Sequence, residues 1–362
     1  MRILLVCILT GALLAGPLPG ATAWSASKSA GAPYHHVIPE LPSKLSICGQ
    51  PVPLGRPMVR DYLDRELVIA VHDPAQTIMW LKRAGRYFPY IEKRLKAARL
   101  PDDLKYVAVA ESALIHYIRS PAGAVGFWQF IPATGRRYGL RINRWFDDRR
   151  NLRLATTAAL AYLKDLRGQL GSWPLSLAAY NCGESRVKKE MAEQGTRDYF
   201  DLALPMETQR YVYRILAAKL VITSPERYGY ALPSAAYWKP IPSQSVTLRL
   251  KRPQHLTVVA RAAGISYRQL KELNPELRRR YLPRGRVAIQ VPPGKAAGLA
   301  ARLGRAGPPP KGASPDKYVV KRGDNLSSIA RRHGVSLSDL REVNDLDDNL
   351  IQPGQRLKIP EK

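Results

Sequence analysis

Three kinds of residue are scarce in this chain, and each scarcity excludes something. Only 3 of its 362 residues are cysteine, so it is not a small scaffold held by disulfides. Its six histidines, at 35, 36, 72, 116, 255 and 333, form no His-Glu-x-x-His pair, and there is no Cys-x-x-Cys. No metal and no cofactor is therefore expected. Acidic residues are few: 29 Asp and Glu face 57 Lys and Arg, a net charge of +28. Such a surface favours anionic partners, whether nucleic acid, an anionic polymer outside the cytoplasm, or lipid headgroups. The apolar run in the first 15 residues is too short for a comfortable membrane span, and no other stretch looks transmembrane.

The N-terminus bears on the choice of partner. Met1-Arg2 opens a short apolar run to Ala15, and Ala21-Thr22-Ala23 fits a small-x-small cleavage site. Residues 1–23 thus read as a signal peptide, which places the mature chain in the periplasm or cell envelope and makes nucleic acid an unexpected partner. Cys7 would be lost. Cys48 and Cys182 remain, and in an oxidising compartment two cysteines can pair. Two separate buried thiols are the alternative, and sequence alone does not give their separation.

Residues 24–50, rich in Ser, Ala and Pro, read as a loose leader. From about Pro57 to Tyr230 the chain carries helical periodicity and little β-alternation, so 51–232 is expected to be a mainly α domain. Apolar residues at helical spacing run through Gln76–Leu95, Asn151–Leu170 is alanine-rich, and Ser176–Tyr180 and Glu207–Ile222 add more helix. Beyond Pro233 the pattern changes. Thr257–Asn274 aligns with Ser327–Asn344 at seven identical positions of eighteen. Strand-like alternation at Val246–Leu250 and Val287–Val291 flanks the first copy. The expectation is two small α+β (βααβ) modules, 245–293 and 317–361. The linker between them, 294–316, contains Pro308-Pro309-Pro310.

One residue breaks the helical pattern informatively. In Pro101–Ile115 the proline and the acidic pair Asp102-Asp103 signal a helix start, and the apolar stripe reads Leu104, Val107, Ala108, Glu111, Leu114, Ile115. Glu111 stands where the stripe calls for leucine. Burial there raises the carboxyl pKa, and a carboxyl partly protonated near neutral pH suits acid catalysis of glycoside cleavage.

Further blocks follow in order. Glu111-Ser112 precedes Gly123-Ala-Val-Gly126-Phe-Trp-Gln129-Phe-Ile-Pro132-Ala-Thr134-Gly135. Then come Ala179-Tyr180-Asn181-Cys-Gly183 and Glu207-Thr208-Gln-Arg-Tyr211-Val212. Over residues 50–230 the chain resembles the lytic transglycosylases of the soluble type, which have a lysozyme-like fold. In particular it resembles the membrane-bound lytic murein transglycosylase D group, which carries C-terminal LysM modules. It departs from the pattern at Ser185, where a second glycine is usual, and at Cys182, usually a small or apolar residue.

The resemblance implies that Glu111 is the single catalytic acid and that Ser112, Gln129, Tyr180, Asn181 and Tyr211 line the substrate groove. It implies peptidoglycan glycan strands as partner and cleavage that leaves 1,6-anhydro ends. In Tyr318–Pro360 it further implies a LysM module that binds sugar through Gly323, Asp324, Asn325 and Ile351. The first copy has Arg252-Pro253-Gln254-His255 in place of the Gly-Asp turn, so a spacing role suits it better. A monomer is expected, with peripheral membrane association open to so basic a surface. A hydrolytic muramidase would need a second carboxylate, Asp147, Asp148 or Glu184. The two aspartates read better as caps of the helix entering at Asn151. A wall-binding protein without catalysis is the remaining reading.

Overall fold

The computed structural model describes residues 38–307, 316–344, 346 and 348–359. The expected signal peptide, the first part of the leader and the proline run lie outside them.

The helical domain starts earlier than residue 51. Strands β1 (Ser46–Ile47) and β2 (Gln50–Pro51) form a hairpin. Its two central residues, Cys48 and Gly49, both have positive φ, as a tight two-residue β-turn requires. Ile47 is fully buried in the helical core. Lys219 donates to the Ser46 carbonyl at 2.8 Å and to Asp103 at 2.9 Å. The leader reading therefore fails over 46–50: a fully buried Ile47 and a Ser46 carbonyl bonded by Lys219 belong to the domain.

Eight helices make that domain: α1 (Pro57–Val71), α2 (Pro74–Ala98), α3 (Lys105–Ser112), α4 (Pro132–Arg137), α5 (Leu152–Leu170), α6 (Trp173–Cys182), α7 (Glu184–Gln194) and α8 (Met206–Thr223). Helix α3 lies at the centre, packed against α2 and α8, with Val107 and Ala108 fully buried. A 3₁₀ turn at Asp102–Leu104 leads into it. The expected helix through Ile115 stops at Ser112. Ala113 and Leu114 adopt left-handed backbone, and their N–H groups return to the carbonyls of Val109 and Ala108, closing the helix as a Schellman-type cap does. Both are non-glycine residues held in a conformation that costs on the order of 1 kcal/mol each. Arg83 donates to the Ala113 carbonyl at 3.1 Å and helps hold the bend.

The two C-terminal modules repeat one plan. In the first, β3 (Gln244–Leu250), β4 (Gln254–His255), α9 (Leu256–Ala263), α10 (Tyr267–Leu273), β5 (Tyr281–Leu282) and β6 (Gly285–Val291) follow in order. Strands β3 and β6 pair antiparallel, Leu248 opposite Val287. Helix α11 (Leu299–Arg305) comes next and buries Leu299 and Leu303 against α9. The expected linker is thus helical over those residues, because two leucines four apart give it an apolar stripe. The second module has β7 (Asp316–Val319), α12 (Leu326–His333), α13 (Leu337–Val343) and β8 (Arg356–Ile359). Strand β7 pairs antiparallel with β8.

The asparagine that ends each aligned copy does the same work twice. Asn274 donates to the carbonyls of Leu270 and Gln290 and accepts from the Gln290 N–H. Asn344 does so with Leu340 and Lys358. In each module it ties the second helix to the last strand, so the repeat is physical as well as textual.

Candidate active site

Glu111 sits in the last turn of α3 and keeps some exposed surface. Its carboxyl is nonetheless well shielded. Burial pushes its pKa up from an ordinary 4.5 to about 7, while a hydrogen bond from Tyr211 and the positive charge of Arg214 pull it partly back, and the negative charge of Glu207 adds to the rise. The Tyr211 hydroxyl donates to Glu111 Oε1 at 2.5 Å. Tyr211 is itself buried, and burial together with the Glu111 charge raises its own pKa, so it stays a donor. Helix spacing on α8 places Glu207, Tyr211 and Arg214 on one face. Arg214 pairs with Glu207 at 3.2 Å, and buried Glu66 on α1 takes Arg210 at 2.6 Å and Arg214 at 3.8 Å.

The segment 123–130 faces the same region and is fixed through its carbonyls. Ser112, buried, donates to the carbonyls of Ala108 and Phe127 at 3.1 and 2.8 Å. The Tyr180 hydroxyl donates to the Trp128 carbonyl at 2.7 Å. Arg149 reaches both ends, the carbonyls of Gly123 and Phe130, each at 2.9 Å. Gln129 has a positive φ of 44°, and its side-chain amide nitrogen donates to Gly126 at 2.8 Å and Ile118 at 3.3 Å. Gly126 could be nothing else. Its φ is +88°, and a Cβ there would lie 1.9 Å from the Arg149 carbonyl oxygen.

The residues singled out from sequence therefore take different positions. Tyr211 is the hydroxyl on the acid. Ser112 and Tyr180 hold the loop, although the Glu111 charge still bears on Tyr180. Asn181, partly exposed at the end of α6, accepts from the Thr208 hydroxyl at 2.8 Å and so joins α6 to α8. His116 stacks edge-on against Tyr117 and leans on Phe127. Sequence reasoning missed Arg149 and Arg214. The signal for Arg149 was the adjacent Asp147-Asp148-Arg149-Arg150 run, read instead as caps.

The cap is Asn151 itself, which accepts from the N–H groups of Arg153 and Leu154. Asp147 is buried in a two-pronged pair with Arg149, and Asp148 in one with Arg141. Glu184 is held by Arg137 and Tyr162. Each candidate for a second carboxylate is thus already committed. Cys48 and Cys182 are both free thiols, so the structure forms no bridge between them. Cys48 sits in the β1–β2 turn beside Asp103, and burial raises its pKa. Cys182 ends α6 near Thr208 and Arg186.

In the second module, Gly323, Asp324 and Asn325 form the turn before α12. Asp324 accepts from the Tyr318 hydroxyl at 2.6 Å and the Lys321 N–H at 2.8 Å. Asn325 caps α12 in a reciprocal arrangement with Ser328. Ile351 packs partly against the module core. Among the described residues no cluster of His, Cys, Asp and Glu is arranged to hold a metal, and no helix is long and apolar enough to cross a membrane.

A shielded acid at a helix end, a hydroxyl on it and a backbone loop beside it thus come together on a mainly α domain. Residues 89–202 match the transglycosylase SLT domain, 318–360 the LysM domain, and 244–306 the LysM-like domain of lytic transglycosylase MltD. A transglycosylase domain match in the helical region and two LysM-type matches after it thus follow one another along the chain. It is 36% identical over 295 residues to membrane-bound lytic murein transglycosylase D of Escherichia coli K12, covering 76% of this chain and 64% of that one. The chain thus spans just under two thirds of that relative's length. Peptidoglycan transglycosylase gp16 of phage T7 is 34% identical over 117 residues, 32% of this chain and 9% of that protein. The solved soluble lytic transglycosylase SLT70 of Escherichia coli overlaps 42% of this chain and 26% of its own at 22% identity and a TM-score of 0.34, a likeness that adds nothing to the fold.

Proposed function

We propose that the chain is a peptidoglycan lytic transglycosylase that cuts the β-1,4 bond between N-acetylmuramic acid and N-acetylglucosamine. One observation carries the reading: Glu111 is a shielded carboxyl with a pKa of about 7 that accepts the Tyr211 hydroxyl, and the candidates for a second carboxylate are bound by arginines. Protonated Glu111 gives its proton to the glycosidic oxygen as the bond to the muramic anomeric carbon breaks. Glu111, now ionised and steadied by the Tyr211 hydroxyl and Arg214, takes the proton of the muramic 6-hydroxyl. That oxygen closes on the anomeric carbon and leaves a 1,6-anhydro ring. No water enters, so the atoms balance within the substrate. The nucleophile belongs to the sugar already bound, which removes the need for a second carboxylate.

The segment 123–130 is the groove wall in this reading. The amide nitrogen of Gln129 is used internally, and its Oε1 has no protein partner among the described residues, which suits it to a sugar hydroxyl or N-acetyl N–H. The LysM module around Gly323–Asn325 and Ile351 binds N-acetylglucosamine chains and concentrates the enzyme on an insoluble polymer. The envelope outside the inner membrane is the compartment, the chain acts as a monomer, and the +28 charge favours wall carboxylates and anionic headgroups.

The test is digestion of purified peptidoglycan followed by mass measurement of the muropeptides. Products one water lighter than hydrolytic ones support the proposal, and Glu111→Gln should release none while still sedimenting with the wall. Products at the hydrolytic mass would make the protein a muramidase and sink the single-acid mechanism. Wall binding without any product would make it a binding protein.

A further inference from the structure

The first LysM-type module lacks the Gly-Asp turn of the second, yet its core takes in a residue of the helical domain, whereas the second module meets the same loop through Arg144, 3.3 Å from the Ser338 carbonyl and 3.6 Å from Asp339. Phe146, from the loop before α5, is 5% exposed and lies in the module's own apolar core with Leu277. The backbone crosses too. Phe146 and Leu277 form a β-bridge, the Asp147 N–H donates to the Glu276 carbonyl at 2.8 Å, and the Arg278 N–H donates to the Trp145 carbonyl at 3.0 Å. Arg278 Nη1 adds a bond to the Asn143 carbonyl at 2.8 Å. The Glu276 side chain is buried beside Asn151, the cap of α5.

The contacts continue inward without a gap. Asp147, whose N–H the module holds, grips Arg149 with both carboxylate oxygens at 2.8 and 2.9 Å. Arg149 holds the carbonyls of Gly123 and Phe130, the two ends of the segment that carries Gly126 and Gln129. The Arg149 carbonyl also occupies the space a side chain at 126 would take. A buried fork of this kind transmits position because each donor has one acceptor geometry.

We propose that the Glu276–Arg278 turn of the first LysM-type module is a positioning element for the active site, acting through Asp147 and Arg149 on the segment 123–130. The proposal rests on the lytic transglycosylase reading for its kinetic consequence, not for its structural one. The module then serves the chemistry rather than the wall: it keeps the Gln129 segment in register with Glu111. A supporting layer matters because small misplacement of a groove wall lowers turnover far more than binding.

The test places Leu277→Asp in the full chain, which sets an unpaired carboxylate against Phe146 and opens the turn. Phe146→Ala opens the same contact more gently, and Leu277→Met is the conservative control. Three readouts are taken: hydrogen exchange of the 123–130 amides, kcat and KM on soluble glycan strands, and sedimentation with insoluble wall. The expected result is faster exchange at 123–130 and a kcat lower by roughly 10–100-fold. KM and sedimentation should stay near the wild-type values, and Leu277→Met should behave as wild type. The proposal is overturned if exchange at 145–147 and 276–278 shows the turn open while exchange at 123–130 and kcat are unchanged. Should Leu277→Asp not fold, Phe146→Ala is judged by the same two outcomes. Should the wild-type chain turn over no glycan, the activity reading fails separately, and exchange at 123–130 alone upholds or overturns the positioning role.

Discussion

Replacing Glu111 with glutamine should stabilise the protein, and only above a particular pH. The Glu111 carboxyl rises from 4.5 to about 7 on folding. Below pH 4.5 it is protonated folded or unfolded and contributes nothing. Between 4.5 and 7 the folded state keeps a proton that the unfolded state releases, so stability falls as pH rises. Above 7 the full cost of holding a shielded charge remains. At about 1.4 kcal/mol per tenfold change in proton affinity, the rise amounts to a cost of about 3 kcal/mol. Glutamine has the same shape, still accepts from Tyr211 and carries no charge. Wild type and Glu111→Gln should therefore unfold alike at pH 4. At pH 8 the variant should be more stable by about 3 kcal/mol, or on the order of 6–12 °C in melting temperature for a domain of this size. Thermal unfolding at both values, followed by circular dichroism, measures the difference. A gap independent of pH would refute the shielded-acid argument, because a change in packing alone does not titrate.

Three further outcomes are expected. Tyr211→Phe removes the bond that favours ionised Glu111, so the upper limb of the pH–rate profile should move to higher pH and kcat should fall about 10–100-fold; an unmoved profile would contradict the role given to that hydroxyl. Gly126→Ala should destabilise the chain by about 3 kcal/mol or more in urea unfolding, since its Cβ would meet the Arg149 carbonyl at 1.9 Å in a φ of +88°; wild-type unfolding would mean the loop is not packed as described. Denatured without reductant, the protein should expose both Cys48 and Cys182 to a maleimide, and a failure of both to label would restore the disulfide.

What could be read from the sequence was what a local pattern decides. The alternation at Val246–Leu250, the repeat ending in Asn274 and Asn344, and the asparagine at the start of α5 each follow from neighbours within a few residues. Glu111 was visible because a charge in an apolar stripe is a local contradiction. The failures share the opposite cause. Continuing the stripe through Leu114 predicted helix, but the chain turns there, because Arg83 and the carbonyls of α3 stabilise a left-handed bend that no propensity favours. Asp147 resembled a helix cap because one of its real partners, the backbone of Glu276, lies 129 residues away in the chain, and the pair with Arg149 two residues on turns it away from the helix. Ser112 and Tyr180 matched the family pattern in position, yet position does not reveal that both hydroxyls are spent on carbonyls of one loop. The Leu299–Arg305 helix was lost among prolines and glycines around it.

The abrupt end of α3 at Ser112 places Glu111 at the end of the helix towards which its carbonyls point, the negative pole of the peptide dipoles. A carboxylate there works against the field of the backbone itself. This contribution is separate from shielding by side chains and does not vanish when water enters the groove or a wall residue is trimmed. Had the same glutamate been set one turn from the start of a helix, the peptide dipoles would have helped it ionise. By ending the helix one residue beyond the acid, the fold makes reluctance to give up the proton partly a property of the main chain, out of reach of any single side-chain substitution.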